Sequence, residues 1–130
     1  MTGLSGHFSI LREKGEAQMI SDINKINDTI KNKTFRMWKY SVSHRTLLLR
    51  AIDNNRIITD LLFTDVLKID ILTDVHELQL IEIKQYDECH KQHVLTQADK
   101  SRHTIISLTV SCCIFESTDY SVLPYFEHCI

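Results

Sequence analysis

Ile106-Ser107-Leu108-Thr109-Val110-Ser111-Cys112-Cys113-Ile114 is the stretch on which the fold turns. Ile106, Leu108, Val110, Cys112 and Ile114 lie on one face of an extended chain, and Ser107, Thr109 and Ser111 on the other, because successive side chains of a strand point to opposite sides. One apolar face and one polar face predict an antiparallel strand covering a core. Working backwards, the same period of two recurs. Trp38, Tyr40 and Val42 share a face that starts at Arg36, with Phe35 and Met37 opposite, and Leu47, Leu49 and Ala51 continue on the next strand. Asp53-Asn54-Asn55-Arg56 supplies a turn, since Asn tolerates the left-handed backbone of tight hairpins, so 46–52 and 57–64 are expected to pair. Ile57, Leu61, Phe63, Leu67, Ile69 and Ile71 form an apolar line broken at Thr59 and Asp65, which is either one bent strand or two meeting near Asp65.

Glu77 to Lys84 returns as a strand. Its apolar phase changes between Leu78/Leu80 and Ile81/Ile83, which indicates a bulge near Leu80 or burial on both faces. Tyr86 to Arg102 is polar and reads as a loop or a short exposed helix. Beyond 117 comes a turn at Ser117-Thr118-Asp119, then Val122-Leu123-Pro124-Tyr125-Phe126 as a last edge strand, where proline is tolerated.

Only the segment Glu16 to Lys33 carries the other period. Ala17, Ile20, Ile23, Ile26 (or Asn27) and Ile30 recur at three- and four-residue spacing, with Lys31 and Lys33 in the last turn and Gly15 before the start. The expectation is a single domain, residues 1–130, of the α+β class: an N-terminal amphipathic helix on a predominantly antiparallel sheet of about six strands, able to curl into a sandwich or half-barrel. No glycine follows Gly15, so Asn and Asp must take over the turns, and no Gly-rich phosphate loop is available.

Composition narrows the functional classes. In 130 residues, 43% hydrophobic and 25% charged with Gly 3 and Pro 1, collagen-like, mucin-like and disordered readings fail. No apolar run approaches the roughly 18 residues of a membrane-spanning helix, and Met1 to Ile10 lacks the pattern of a secretory signal. Cys89, Cys112, Cys113 and Cys129 are read as thiols of a reducing cytoplasm. Charge is uneven along the chain. Residues 1–52 hold nine Lys/Arg against four Asp/Glu, and 53–88 hold three against nine. Either opposite charges meet on neighbouring surfaces or the acidic middle is a docking face.

The best ligand-like constellation is Cys89, His90 and His93, because thiolate and imidazole three or four residues apart can share one helical face around zinc. It supplies three ligands where a structural site needs four. His44 follows Ser43, but neighbours on an extended chain point apart, so no nucleophile and base pair arises there. No hydrolase, zincin, Walker or dinucleotide motif occurs, and no cofactor is implied. Lys31, Lys33, Arg36, Lys39 and Arg45 lie near Phe35, Trp38 and Tyr40, yet strict alternation puts Lys39 opposite Trp38 and Tyr40, which argues against a stacking platform for nucleic acid.

Trp38, Tyr40, Val42, Ser43, His44, Leu47, Leu48 and Arg50 together resemble a W-x-Y-x-V-S-H-x-x-L-L-x-R strand pattern of small uncharacterised bacterial proteins of about this length. That resemblance implies a compact β-rich domain and carries over no activity. The sequence leaves catalysis open and leads to two functional expectations. The first is a cytoplasmic protein-interaction module of the accessory or immunity type, meeting a basic protein partner through Asp60, Asp70 and Glu82 on consecutive strands, with no nucleic acid and no membrane involved. The second is a small-molecule or metal-binding protein using Cys89, His90 and His93. A homo-oligomer built through an exposed sheet edge is compatible with both.

Overall fold

The period-two segments fold as strands, and so do two segments that lack the period. The computed structural model describes residues 17–53, 56–71, 74–124 and 126. Gly15, Glu16, Asn54, Asn55, Leu72, Thr73, Tyr125, His128 and Cys129 lie outside the described residues. Nine strands run β1 (Ala17–Ile20), β2 (Lys33–Ser41), β3 (Thr46–Ile52), β4 (Ile57–Thr64), β5 (Lys68–Asp70), β6 (Val75–Gln85), β7 (Lys91–Gln97), β8 (Arg102–Ser107) and β9 (Thr109–Glu116), with one helix, α1 (Ile23–Ile30), after β1.

This overturns the α+β expectation of a helix packed on about six strands. Among the described residues the chain is mostly antiparallel sheet with a single helix of 8 residues. The predicted helix is cut short because Asp22 caps it, its carboxylate accepting from the Asn24 N–H at 3.0 Å. Ala17 and Ile20 then belong to β1, which pairs with β9 from Ala17↔Phe115 to Ile20↔Cys112. The polar Tyr86 to Arg102 segment holds β7, whose inward positions include the polar His93 and Gln97. The expected last edge strand is absent among the described residues; 119–121 form a turn and Phe126 packs on Leu48 and Leu62.

The sheet order is β1-β9-β4-β3-β2-β6-β7-β8-β5. β4 and β5 are two arms of one chain bent at Asp65, and β8 and β9 two arms bent at Leu108, with β4 on β9 and β5 on β8. Apart from β1, which pairs with β9, the order begins and ends on the same pair of bent chains, so the sheet returns on itself as a ring. A walk round it leaves β9 at Glu116 and, through β4, β3, β2, β6 and β7, returns near the other end of that chain at Arg102. Such stagger means steeply tilted strands.

One core fills the ring. Phe35, Leu47, Leu49, Leu61, Phe63, Val75, Leu78, Ile81, Leu95, Ile105, Val110 and Cys112 meet there with Ile26 and Ile30 of α1. The helix docks through Asn27, whose side-chain amide donates to the Ile81 carbonyl at 3.1 Å while its Oδ1 accepts from the Ile81 N–H at 2.8 Å. A side chain thus satisfies β6 where a strand would otherwise lie. Without glycine, Asn32, Arg45, Arg56, Asp65, Glu77 and Lys100 adopt positive φ at the turns and bulges. Asn and Asp supply only two of these positions; charged side chains supply the rest.

Candidate functional site

β2 and β3 are neighbours with opposite exposure. Thr46 to Ala51 are all buried, whereas Arg36 to Tyr40 are all exposed. β3 is covered on its inner face by the core and on its outer face by the C-terminal segment, where Leu48 and Leu62 hold Phe126. β2 pairs with β3 on one side but with β6 only at Lys33 and Phe35. From Met37 to Ser41 its second edge has no strand beside it among the described residues. That edge carries Met37 (46% exposed), Trp38 (37%) and Tyr40 (37%).

A register shift between Met37 and Lys39 changes which side chains share a face. Arg36 lies opposite Arg50 and Lys39 opposite Leu48, both outward positions of β3. Trp38 also lies on this side, stacked at 5.4 Å on the Arg50 guanidinium. Arg36, Trp38 and Lys39 therefore crowd one face, which strict alternation could not foresee, because a bulge adds a residue and resets the phase.

Arg50 is the anchor behind this face and is wholly buried. Its Nε donates to Asp60 Oδ1 at 2.6 Å and its Nη2 to Asp60 Oδ2 at 2.7 Å, a bidentate pair. Its Nη1 donates to the Tyr120 carbonyl at 2.6 Å, and the Phe115 ring lies 5.3 Å from the guanidinium carbon. Burial pushes the Asp60 carboxyl above its ordinary range, against the opposing pull of Arg50. With Asp60 only 3% exposed, the expected acidic face loses its first member. Asp70 on β5 and Glu82 on β6 are exposed.

Much of the uneven charge is absorbed internally. Arg50 meets Asp60, Arg45 meets Asp65 and Arg36 meets Asp74, each joining the basic first segment to the acidic middle.

The Cys89, His90 and His93 side chains make separate contacts. Cys89 is exposed. His90 bridges two carboxylates, with Nε2 at 2.9 Å from Asp65 and Nδ1 at 3.0 Å from Asp87. Asp65, followed by Asp87, raises its pKa above the ordinary value, while the backbone N–H groups of His90 and Cys89 lower that of Asp87. His93 points inward, edge-on to Phe63 at 5.5 Å and 3.2 Å from the Ile105 carbonyl. Burial lowers its pKa and favours the neutral ring. Among the described residues no group of three or more His, Cys, Asp or Glu side chains is placed to hold a metal ion. Cys112 is buried in the core, its thiol pushed up to about 12 by desolvation, which leaves it unreactive. Beside His44, the Ser43 hydroxyl lies 3.5 Å from that of Ser41, and the His44 carbonyl accepts from Thr46.

A cleft of about 540 Å³ opens between the ends of β4 and β9 and the C-terminal segment, with Phe115, Val122 and Pro124 as its apolar wall and Arg56 and Glu116 as its charges. Sequence reasoning missed both it and the β2 edge. The only available signal for the edge was the run of cations and aromatics from Arg36 to Tyr40. Among the described residues no helix is long and apolar enough to cross a membrane. No family model, curated protein or solved structure matches this chain.

Proposed function

We propose that this protein is a non-enzymatic interaction module that binds a protein partner along the open edge of β2. The observation that carries the reading is the coincidence of a strand edge left unpaired among the described residues with five consecutive exposed residues, three of them large and apolar or aromatic. An unpaired edge offers a row of N–H and C=O groups to an incoming chain, and natural proteins ordinarily cover, shorten or charge such edges. Strand addition uses those groups for affinity and the alternate side chains for selectivity. Trp38 supports the role because its ring is held from behind by Arg50. A side chain already ordered before binding loses less entropy on contact.

The test is affinity capture from the native host with quantitative mass spectrometry. A partner recovered by the intact protein should be lost with Met37→Glu/Tyr40→Glu and kept with Asp70→Asn/Glu82→Gln. A partner lost with the second pair and kept with the first would return the function to the acidic residues and overturn this reading.

A second reading is small-ligand binding in the cleft beside Phe115. Its volume of about 540 Å³ lies within the range of ligand sites. Saturable amide shifts of 115–118 during a fragment screen by NMR would support it, and their absence across the screen would remove it.

A further inference from the structure

We propose that the β2 edge takes an extended, acidic segment of another protein as an added strand, with carboxylates at alternate positions of that segment meeting Arg36 and Lys39. This rests on the protein-binding reading of the same edge and names the chemistry of its partner.

The edge itself sets the form of the partner. Between Met37 and Ser41, alternate backbone groups point away from β3, and a chain that satisfies them must offer N–H and C=O groups at strand spacing. A polypeptide does so. A nucleic acid does not, although its phosphates would be drawn to the same cations.

The bulge sets the charge. In a regular strand, positions 36 and 39 would face opposite ways, but the register shift between Met37 and Lys39 puts both on the outer face with Trp38 between them. Arg50 adds no free charge, since Asp60 neutralises it. An added strand repeats its outward positions every second residue. Acidic residues there would fall beside both exposed cations, Arg36, which also meets Asp74, and Lys39, whose Nζ lies 5.6 Å from the centre of the Phe126 ring.

The chain contains one sample of this contact. Asp74 immediately precedes β6, which runs beside β2 only as far as the Val75↔Phe35 pair, and its carboxylate lies 3.5 Å from Arg36 Nε. An added strand would continue the line that β6 begins, and a carboxylate already stands at its head.

Charge also argues against a second copy as the occupant. Antiparallel pairing of two β2 edges would gather the Arg36 and Lys39 cations of both copies along one strand pair, and like charges brought together across a strand pair are destabilising. Edge lysines are a common device against such self-pairing.

The experiment titrates the intact protein at low ionic strength with a capped synthetic peptide in which Glu alternates with Val, followed by backbone amide NMR. The expected result is saturable binding with the largest shifts at 36–41. Arg36→Gln/Lys39→Gln should weaken it by about tenfold, equivalent to about 1.4 kcal/mol. A peptide N-methylated at every second residue, and one with Lys in place of Glu, should not bind. Both substituted side chains are exposed, so the double variant should keep the wild-type melting temperature.

Binding unchanged by the double variant or by N-methylation would overturn the proposal. So would tighter binding of a single-stranded oligonucleotide, or a dimer by light scattering whose contact maps to β2. If the captured host partner depends on β2 but the acidic peptide does not bind, the partner chemistry is wrong and the protein-binding reading stands. If capture is also indifferent to β2, both fall.

Discussion

β3 and the outer half of β2 are hydrogen-bonded neighbours in one sheet, yet every residue from Thr46 to Ala51 is buried and every residue from Arg36 to Tyr40 is exposed. Their composition does not explain this. Both contain large apolar side chains, and the largest wholly buried side chain of β3 is an arginine. What differs is cover. β3 has strands on both edges, the core on one face and Phe126 with Leu123 on the other, while β2 beyond Phe35 has, among the described residues, a strand on one edge only. Burial here follows from position in the ring, and the chemistry of each side chain was accommodated afterwards, by Asp60 for Arg50 and by solvent for Trp38.

The strongest way to break the contrast is to remove the group that lets β3 bury a charge. Asp60→Ala leaves the Arg50 guanidinium without its bidentate partner, and a buried charge stranded in this way typically costs about 3–5 kcal/mol. The denaturant midpoint should fall accordingly. Arg50→Met with Asp60→Leu should recover most of that loss, because replacing both members of a buried pair by apolar groups is often close to neutral. If Asp60→Ala were as stable as wild type, the pair would have no structural role.

Next in size is the inner face of the same strand. Leu49→Ala removes a wholly buried side chain from the main core and should cost about 2–4 kcal/mol by lost transfer energy and cavity formation, read from the same unfolding curves. A smaller loss would mean that the ring collapses around the vacancy.

The difference between these strands also marks how far the sequence could be read. Alternation located β3, β4 and most of β2, because their apolar sets repeat every second residue. It failed wherever the ring bends. Alternation puts Ile106 and Leu108 on the same inward face as Val110, but the chain turns over at Leu108, so that Ile105 faces the core. β7 was missed because His93 and Gln97 occupy inward positions, where the Ile105 carbonyl and the His103 ring satisfy them. Those partners come from β8 and cannot be inferred from local pattern. The candidate site depended on two features with the same defect: a bulge that moves Lys39 onto the face of Trp38, and an edge left open because β6 stops pairing at Val75. Asp60 looked like a surface carboxylate for a related reason, since its partner lies across the β3 and β4 hairpin.

A smaller effect sharpens the contrast at the turn that joins the two strands. Arg45 in that turn binds Asp65, and Asp65 also receives His90, so this corner is held by an imidazole between two carboxylates. These hydrogen bonds raise His90 above its ordinary value of 6.5, so its contribution is full below that unfolded value and is lost as pH rises through the higher folded one. Asp87, held below the usual carboxylate range, stays ionised throughout. The melting-temperature gap between wild type and His90→Gln should be widest near about pH 5.5 and shrink towards about pH 8.5. A gap that widened with pH would show that the neutral ring is the form the fold prefers.

The least effect is expected on β2 itself. Met37→Thr and Tyr40→Thr remove apolar surface that is already substantially in water and introduce a residue with good strand propensity, so each should change stability by no more than about 0.5 kcal/mol. Calorimetry on both variants checks this beside Leu49→Ala, whose side chain lies directly across the pair from Met37. Near-silence in stability is what gives the comparison functional meaning. Side chains that fold the protein no better than threonine, held on an open edge, are available to a partner at little cost to the fold. If Met37→Thr instead destabilised as much as Leu49→Ala, this half of β2 would belong to the core after all, and the case for an open binding edge would fail with it.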